Sequence, residues 1–335
     1  MTSTSTTTPD HSAQPAPATP ADVVIVGGSA AGLSAAVALG RSLRSVVVVD
    51  AGRPRNAPAD GAHNLLGREG IAPADLLAAG RAEALGYGAT IVDGEVTAAV
   101  RLDGTDPAFE VGLADGSRYR ARRLLLATGL VDELPDVDGI GELWGRDVLH
   151  CPYCHGYEVR GRRIGVLGTG PMAMHQVLLF TQLSDQVTLI DQSLPELSAD
   201  EHARLDALGV PLVRGPVRRL DTAGGRLRAA ILADGTELEL DALTVTPRFV
   251  ARTDLFTALG GELSDNPMGT FIPTEMGGRT AVPGVFAAGN AADLSAIVGA
   301  SAAAGVQAGA LINADLADAD VTRALARRTS AAAPV

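Results

Sequence analysis

Apolar residues follow two rhythms along this chain. Residues 22–26 make one continuous apolar run of strand length; after the turn Gly27, Gly28, Ser29, Ala30, Ala31, Gly32, an Ala/Leu-rich helix extends to about Gly40. A second run at 45–50 then ends on Asp50. Unbroken runs of this length predict strands covered on both faces, the setting of a parallel sheet. The same order returns at residues 164–167, with the turn Gly168, Thr169, Gly170, Pro171, Met172, Ala173, a helix through Leu183, and a run at 186–191 ending on Asp191. Helical spacing also marks residues 73–86, whereas 90–92 and 108–111 have strand character. Asp115 and Gly116 predict a hairpin into residues 119–121, and the run 123–126 stops at Ala127, Thr128 and Gly129. Residues 210–243 read as strands and hairpins. A last apolar run leads to Gly289 and Asn290, ahead of an Ala-rich helix from about 296 to 316. Two βαβ repeats in these surroundings predict an α/β fold.

Breaks in the pattern place the joints. Residues 132–145 are rich in Pro, Asp and Gly and read as a linker, and 244–248 as the return crossover. A long irregular loop at 53–70 carries Pro54, Pro58, Gly61, Gly67 and Gly70 around His63 and Asn64, and such loops inside compact domains are often functional. Residues 1–20 are mostly Thr, Ser, Pro and Ala, which predicts a disordered tail with neither signal peptide nor anchor. A loose tail is also expected over 323–335.

Composition narrows the function classes. A chain of 335 residues can bury two cores, and 46% hydrophobic residues with 39 glycines suit Ala/Val/Leu-rich layers joined by tight turns. A formal net charge of −12 leaves no basic surplus to displace phosphate counterions, which argues against nucleic acid. No apolar run reaches the ~18 residues of a membrane span, so a cytoplasmic protein is expected. In that reducing compartment the Cys-x-x-Cys pair, Cys151 and Cys154, points to redox chemistry more than to a structural disulfide.

The first Gly-rich turn offers backbone N–H groups to a pyrophosphate, and Asp50 offers a carboxylate to a ribose hydroxyl. Ser29 in the middle glycine position still permits fairly close backbone approach. Gly168, Gly170, Ala173 and Asp191 form the corresponding turn for a pyridine nucleotide. A 2′-phosphate there would need cationic donors, yet the next arginine after Asp191 is Arg204. NADPH is therefore disfavoured, and NADH or no pyridine nucleotide stays open. The dithiol is bracketed by His150 and His155. Thiolate is the reacting species and a free thiol has a pKa of roughly 8.5, so an imidazole of pKa about 6.5 is a suitable proton acceptor. Zinc on the two cysteines would crowd both flanking histidines into one site, so no metal is expected.

Taken together, the two G-x-G-like units, Ala127, Thr128 and Gly129, the Cys-x-x-Cys ahead of the second unit, and the 284–289 run resemble the low-molecular-weight thioredoxin reductase family of FAD enzymes. The resemblance covers residues 22–318. It implies two Rossmann-like, three-layer dinucleotide-binding domains, the second inserted into the first. The FAD-binding domain would take residues 21–130 and 247–322, the dithiol-bearing NAD(P)-type domain 131–246, and the assembly would be a homodimer. FAD contacts are implied for Gly27, Gly28, Ser29, Ala30, Ala31, Gly32, Asp50, His63, Asn64, Ala127, Thr128, Gly129, Gly289, Asn290, Ile297 and Val298. Cys154 would lie nearer the flavin and Cys151 would meet the substrate.

Closer similarity is to the branch of gliotoxin and holomycin dithiol oxidases. His155 stands where reductases carry an acidic Asp, and Asp191, Gln192 and Ser193 replace a His-Arg-Arg cluster. Asn290 replaces an Asp that accepts from the flavin ribityl chain, and Ile297 and Val298 replace Arg-Gln with an apolar wall. That branch oxidises a small-molecule dithiol to a disulfide and passes electrons to O2, releasing hydrogen peroxide. The alternatives are an NAD(P)H-dependent thioredoxin reductase, with thioredoxin as partner, and an FAD-binding redox sensor.

Overall fold

The computed structural model describes residues 20–104, 106 and 108–331, so the expected N-terminal tail lies, but for Pro20, outside the described residues. The chain opens with β1 (Ala21–Val26), α1 (Ala30–Arg41), β2 (Val46–Asp50), α2 (Pro73–Gly86) and β3 (Thr90–Asp93). β4 (Val96–Leu102), β5 (Ala108–Leu113) and β6 (Arg118–Leu126) follow, and the sheet runs in the order β3-β2-β1-β6-β5-β4. Alternate side chains of a strand point to opposite faces. Val24, Val26, Val47 and Val49 therefore pack with Phe256 and Ile272, while Val23, Ile25, Val46 and Val48 pack with Ala35, Ala36 and Leu39 of α1. Burial on both faces is why these runs show no polar alternation. β6 changes character along its length: its first half alternates exposed and buried residues against antiparallel β5, and its second half is buried beside parallel β1. The predicted hairpin arm and the predicted run at 123–126 are thus one strand.

The chain leaves this sheet through β7 (Leu130–Glu133), α3 (Ile140–Leu143), β8 (Val148–Leu149) and the single-turn α4 (Pro152–His155). β9 (Ile164–Gly168), α5 (Met172–Phe180), β10 (Val187–Asp191), α6 (Ala199–Leu208) and β11 (Leu212–Arg214) form the second βαβ layer. Strands β12 (Val217–Ala223), β13 (Arg226–Leu232) and β14 (Glu237–Glu239) make an antiparallel sheet, and β15 (Ala242–Thr244) completes the parallel order β11-β10-β9-β15-β8. The helix expected through Leu183 stops at Phe180, where the N–H groups of Leu183 and Ser184 both turn back onto the Phe180 carbonyl. α6 lies in a stretch without clear apolar periodicity and is started by a capping box of Ser198 and Glu201.

β16 (Arg248–Ala251) returns beside β7, antiparallel, with Arg248 opposite Glu133. α7 (Asp254–Ala258), β17 (Ser264–Asn266), β18 (Gly269–Phe271) and β19 (Val285–Ala287) follow, β19 joining β6 in parallel. α8 (Val298–Ala331) then packs along α1. Glycine makes that approach feasible: a Cβ at Gly305 would lie 2.0 Å from the Ala31 carbonyl oxygen, and one at Gly309 3.0 Å from that of Ala35. The loose C-terminal tail expected from Arg323 is helical as far as Ala331. Ala324, Leu325, Ala326, Arg327 and Arg328 favour helix, and no Gly or Pro interrupts before Pro334. Arg323 is also tied to Asp320 at 2.6 Å. Among the described residues no helix is long and apolar enough to cross a membrane.

Candidate active site

The turn after β1 is built from close backbone approaches. Gly27 has φ +111° and a Cβ there would lie 2.2 Å from the Ala127 carbonyl oxygen; one on Gly32 would lie 1.8 Å from Gly27 O, and one on Gly28 2.6 Å from Asp50. Only glycine fits these places. Asp50 is steadied by Arg81 at 3.0 Å and by the Gly52 N–H at 3.1 Å. Above the turn opens a cavity of about 1210 Å³, beyond the roughly 300–1,000 Å³ of sites for drug-sized ligands, as an extended dinucleotide requires. Its walls include Gly27, Gly28, Ser29, Ala30, Ala31, Asp50, His63, Ala127, Thr128, Gly129, Gly289, Asn290, Ile297 and Val298, and also His150, Cys151, Cys154 and His155. Of the residues expected here, Gly32 lies behind the turn against Gly27, and Asn64 is outside the wall.

Cys151 and Cys154 are joined as a disulfide. Cys151 caps α4, with Pro152 in the first turn, and its Sγ accepts from the Cys154 N–H at 3.1 Å. His155 closes that turn, and its ring has no hydrogen-bond partner among the described residues. His150 is defined more fully: Nδ1 lies 2.9 Å from the Val245 carbonyl oxygen, and the ring meets Phe249 edge-on at 5.2 Å. A carbonyl can only accept, so Nδ1 carries the proton and Nε2 keeps the lone pair in the neutral ring. Burial pushes the His150 pKa below its ordinary value, and Arg55 acts in the same direction; the Val245 carbonyl and Asp132 oppose them.

Arg55, Asp132 and Phe249 are site residues that sequence reasoning did not single out. Arg55 forms a two-point ion pair with Asp132 at 2.8 and 2.7 Å, approaches Asn290 Oδ1 at 3.4 Å, and lies 5.0 Å over the Phe249 ring. The available signal was its place in the irregular loop after the acid-ending strand. The same neighbourhood accounts for the amide at Asn290. Its Nδ2 donates to the carbonyls of Asp293 and Ala296 at 3.0 and 2.9 Å, where an aspartate would set a carboxylate against two carbonyl oxygens.

Asn64 holds the dithiol segment instead of lining the cavity. It has φ +58°, and its Nδ2 donates to the Tyr153 carbonyl at 2.6 Å. His63 lies between two carboxylates, Glu69 at 2.7 Å from Nδ1 and Glu158 at 3.5 Å from Nε2.

Gly168, Gly170, Ala173 and Asp191 lie at the end of the second sheet and are not in this cavity's wall. The segment after β10 folds back on Gly168: Gln192 and Ser193 both donate to its carbonyl oxygen, and a Cβ there would lie 2.6 Å from the Leu194 side chain. Asp191 accepts from the Leu194 N–H at 3.1 Å. Arg204, the next arginine in sequence, pairs with Asp200; the cation that reaches Asp191 is Arg214 on β11, at 3.9 Å.

A family profile described as "Pyridine nucleotide-disulphide oxidoreductase" matches residues 21–309. "Thioredoxin reductase tcpT" of Claviceps purpurea (strain 20.1) is 36% identical over 80% of this chain and 86% of its own length. Among solved structures, "Crystal structure of HlmI" superposes with TM-score 0.89 and 44% identity over 95% of this chain and 99% of that one. An oxidoreductase from Agrobacterium tumefaciens does so with TM-score 0.83 and 37% identity over 89% and 99%. These relatives bear out the resemblance drawn from the sequence, and the family implies a flavin, FAD, for which the glycine turn, Asp50 and the adjoining cavity are a fitting site. With the match running through both sheets and the dithiol between them, the chain belongs to the pyridine nucleotide-disulphide oxidoreductase family, as a thioredoxin reductase-like flavin enzyme of thiol/disulfide chemistry.

Proposed function

We propose that the chain oxidises a small-molecule dithiol to a disulfide, with O2 as final acceptor and hydrogen peroxide as by-product. One observation carries this reading: the Cys151–Cys154 disulfide, flanked by imidazoles, shares its cavity with the first dinucleotide turn, while the second turn lies outside that cavity. Ile297 and Val298 give the cavity an apolar wall suited to a small hydrophobic substrate.

The chemistry of the chain's own residues follows. A substrate thiol gives its proton to an imidazole, and the thiolate attacks Cys151 Sγ, breaking the Cys151–Cys154 bond with its electron pair leaving on Cys154. The Cys154 N–H that bonds Cys151 Sγ holds that sulfur in place. The second substrate thiol, giving its proton to the other imidazole, then attacks the substrate sulfur of the mixed disulfide, closing the substrate's own disulfide and releasing Cys151 as thiolate. FAD, held by the Gly27–Gly32 turn and Asp50, would supply the two-electron acceptor that restores the pair. A homodimer acting in the cytoplasm is the setting the family resemblance implies. Production or self-protection in natural-product metabolism fits a dedicated dithiol substrate.

A second reading, an NAD(P)H-dependent reductase of thioredoxin, is favoured by the intact second βαβ unit, by Arg214 beside Asp191, and by the name of the Claviceps relative. Anaerobic mixing separates the two. Rapid flavin bleaching by a small dithiol, with slow bleaching by NADPH and NADH, is expected. Rapid bleaching by NADPH with turnover on thioredoxin would overturn the oxidase reading. Cys154→Ser is expected to abolish bleaching by dithiols while FAD stays bound.

A further inference from the structure

Gln176 is an amide inside an apolar layer. It lies on α5, the helix of the second βαβ unit, 3% exposed among Ala173, Val177 and Phe180. Burying an amide is costly unless its groups are bonded, and here one end alone is bonded. Nε2 lies 3.2 Å from the Val245 carbonyl oxygen and 3.3 Å from that of His150, while Oε1 has no partner among the described residues. Two carbonyl oxygens demand the NH2 at that end, which fixes the amide's orientation. Nε2 is also 3.3 Å from His150 Nδ1, but that nitrogen already donates to Val245 O at 2.9 Å, so the two amide hydrogens go to the carbonyls.

One side chain thus holds both backbone groups that orient the imidazole: the carbonyl that receives its Nδ1 proton, and the peptide linking His150 to Cys151. We propose that Gln176 is a positioning residue which keeps His150 in its Nδ1–H form, leaving Nε2 as the acceptor of the substrate thiol's proton beside Cys151. The inference rests on the dithiol-oxidase reading for its chemistry, though the tautomer it predicts is independent of that reading. It also gives α5 a use that requires no pyridine nucleotide. The helix of the second unit braces the dithiol.

The charged and titratable groups around His150 come from several elements. Arg55 lies over Phe249, Asp132 on β7 neutralises Arg55, and His155 and the two cysteines share the cavity wall. Burial prevails among these influences and lowers the His150 pKa, so the base stays unprotonated to more acid pH than an ordinary histidine.

The test uses FAD-loaded protein and dithiothreitol as the dithiol. Flavin bleaching is followed anaerobically between about pH 5 and 9 for wild type, Q176L, H150A and the double variant, with 15N spectra of labelled histidine read in parallel. Wild type should lose rate only as pH falls below the ordinary histidine range and should show His150 as the Nδ1–H tautomer. Q176L should bind FAD normally, slow by about tenfold, and show mixed His150 tautomers. The double variant should be no slower than H150A, because Gln176 acts through His150. A Q176L effect that persists undiminished in the H150A background, or a Q176L protein with wild-type rate and tautomer, overturns the proposal. If dithiothreitol fails to bleach wild type, the oxidase reading falls, and the tautomer in Q176L alone decides the role of Gln176.

Discussion

The two βαβ turns of this chain share a pattern and differ in what surrounds them. At the first, Gly27, Gly28 and Gly32 press against Ala127, Asp50 and Gly27 itself, and the space in front opens into the large cavity. At the second, Gly168 lies under Leu194, and the chain after β10 is hydrogen-bonded back onto the turn. The first helix, α1, is clamped by α8; the second, α5, spends a buried polar residue on the dithiol segment. Similar glycine spacing therefore goes with a similar βαβ shape in different surroundings. The residues that come after the second strand of each unit differ most: at the first they line the cavity, at the second they bond back to Gly168.

Paired substitutions put the largest strain on that contrast. Gly28→Ala pushes a methyl group into Asp50, and overpacking of about 1–3 kcal/mol predicts roughly 5- to 150-fold weaker FAD binding, read from the flavin-to-protein ratio after dialysis. Gly170→Ala meets nothing within 4 Å and should leave both FAD content and dithiol-driven bleaching at wild-type levels. Equal losses in the two variants would end the distinction. Leu194→Ala should then widen the space beside Gly168 at the second turn. Removing a half-buried leucine predicts a loss of about 2 kcal/mol in denaturant titration and, by calorimetry, tighter NADH binding than in wild type. NADH binding of equal strength in wild type would show that the turn is already open.

A smaller effect separates the anchoring of the two regions. Asp320 on α8 pairs with Arg44 at 2.9 Å and with Arg122 at 2.7 Å, and its carboxyl is lowered to about 2 by those hydrogen bonds, Arg44 first. A depressed acid stabilises the fold above its unfolded pKa of about 3.9, and that contribution fades as pH drops toward the folded value. Asp320→Asn should accordingly lower Tm by a few degrees near pH 7, with the gap to wild type narrowing below about pH 4. A gap that is constant with pH would remove the ion pairs as its cause.

The strands, the glycine turns and the dithiol were legible because each is local: a run of apolar residues, a spacing of glycines, two cysteines three apart. The remaining features depend on pairings that sequence order hides. Gln176 meets Val245 across 69 residues and Arg55 meets Asp132 across 77. Arg214 replaces Arg204 beside Asp191 because β11 lies next to β10 in the sheet, whereas Arg204 faces outward on α6. The weight placed on His155 came from its position after Cys154. The defined hydrogen bond belongs to His150, whose partner is the distant Val245. Asn290 stands out in the sequence as a replacement for an Asp, and its amide suits the two carbonyls it meets. The helical C-terminus was hidden for a different reason, since Ala and Arg there have high helix propensity but little apolar periodicity.

The pairing of β7 with β16 has a consequence for how such a chain arose. The points at which the backbone enters and leaves the segment carrying the second βαβ unit, Glu133 and Arg248, are direct partners across an antiparallel ladder in the four-stranded sheet β17-β18-β16-β7. Antiparallel neighbours are about 5 Å apart, a gap that a two-residue turn closes. To the host fold, everything between them is a hairpin loop that has grown, and loop growth costs little entropy for each doubling of length. Excision of residues 134–247 in favour of Asn-Gly would leave the host's strands in register. Exchange of the module would need that junction kept together with the contacts that tie it to the host, Asn64 to Tyr153 and His150 to Phe249.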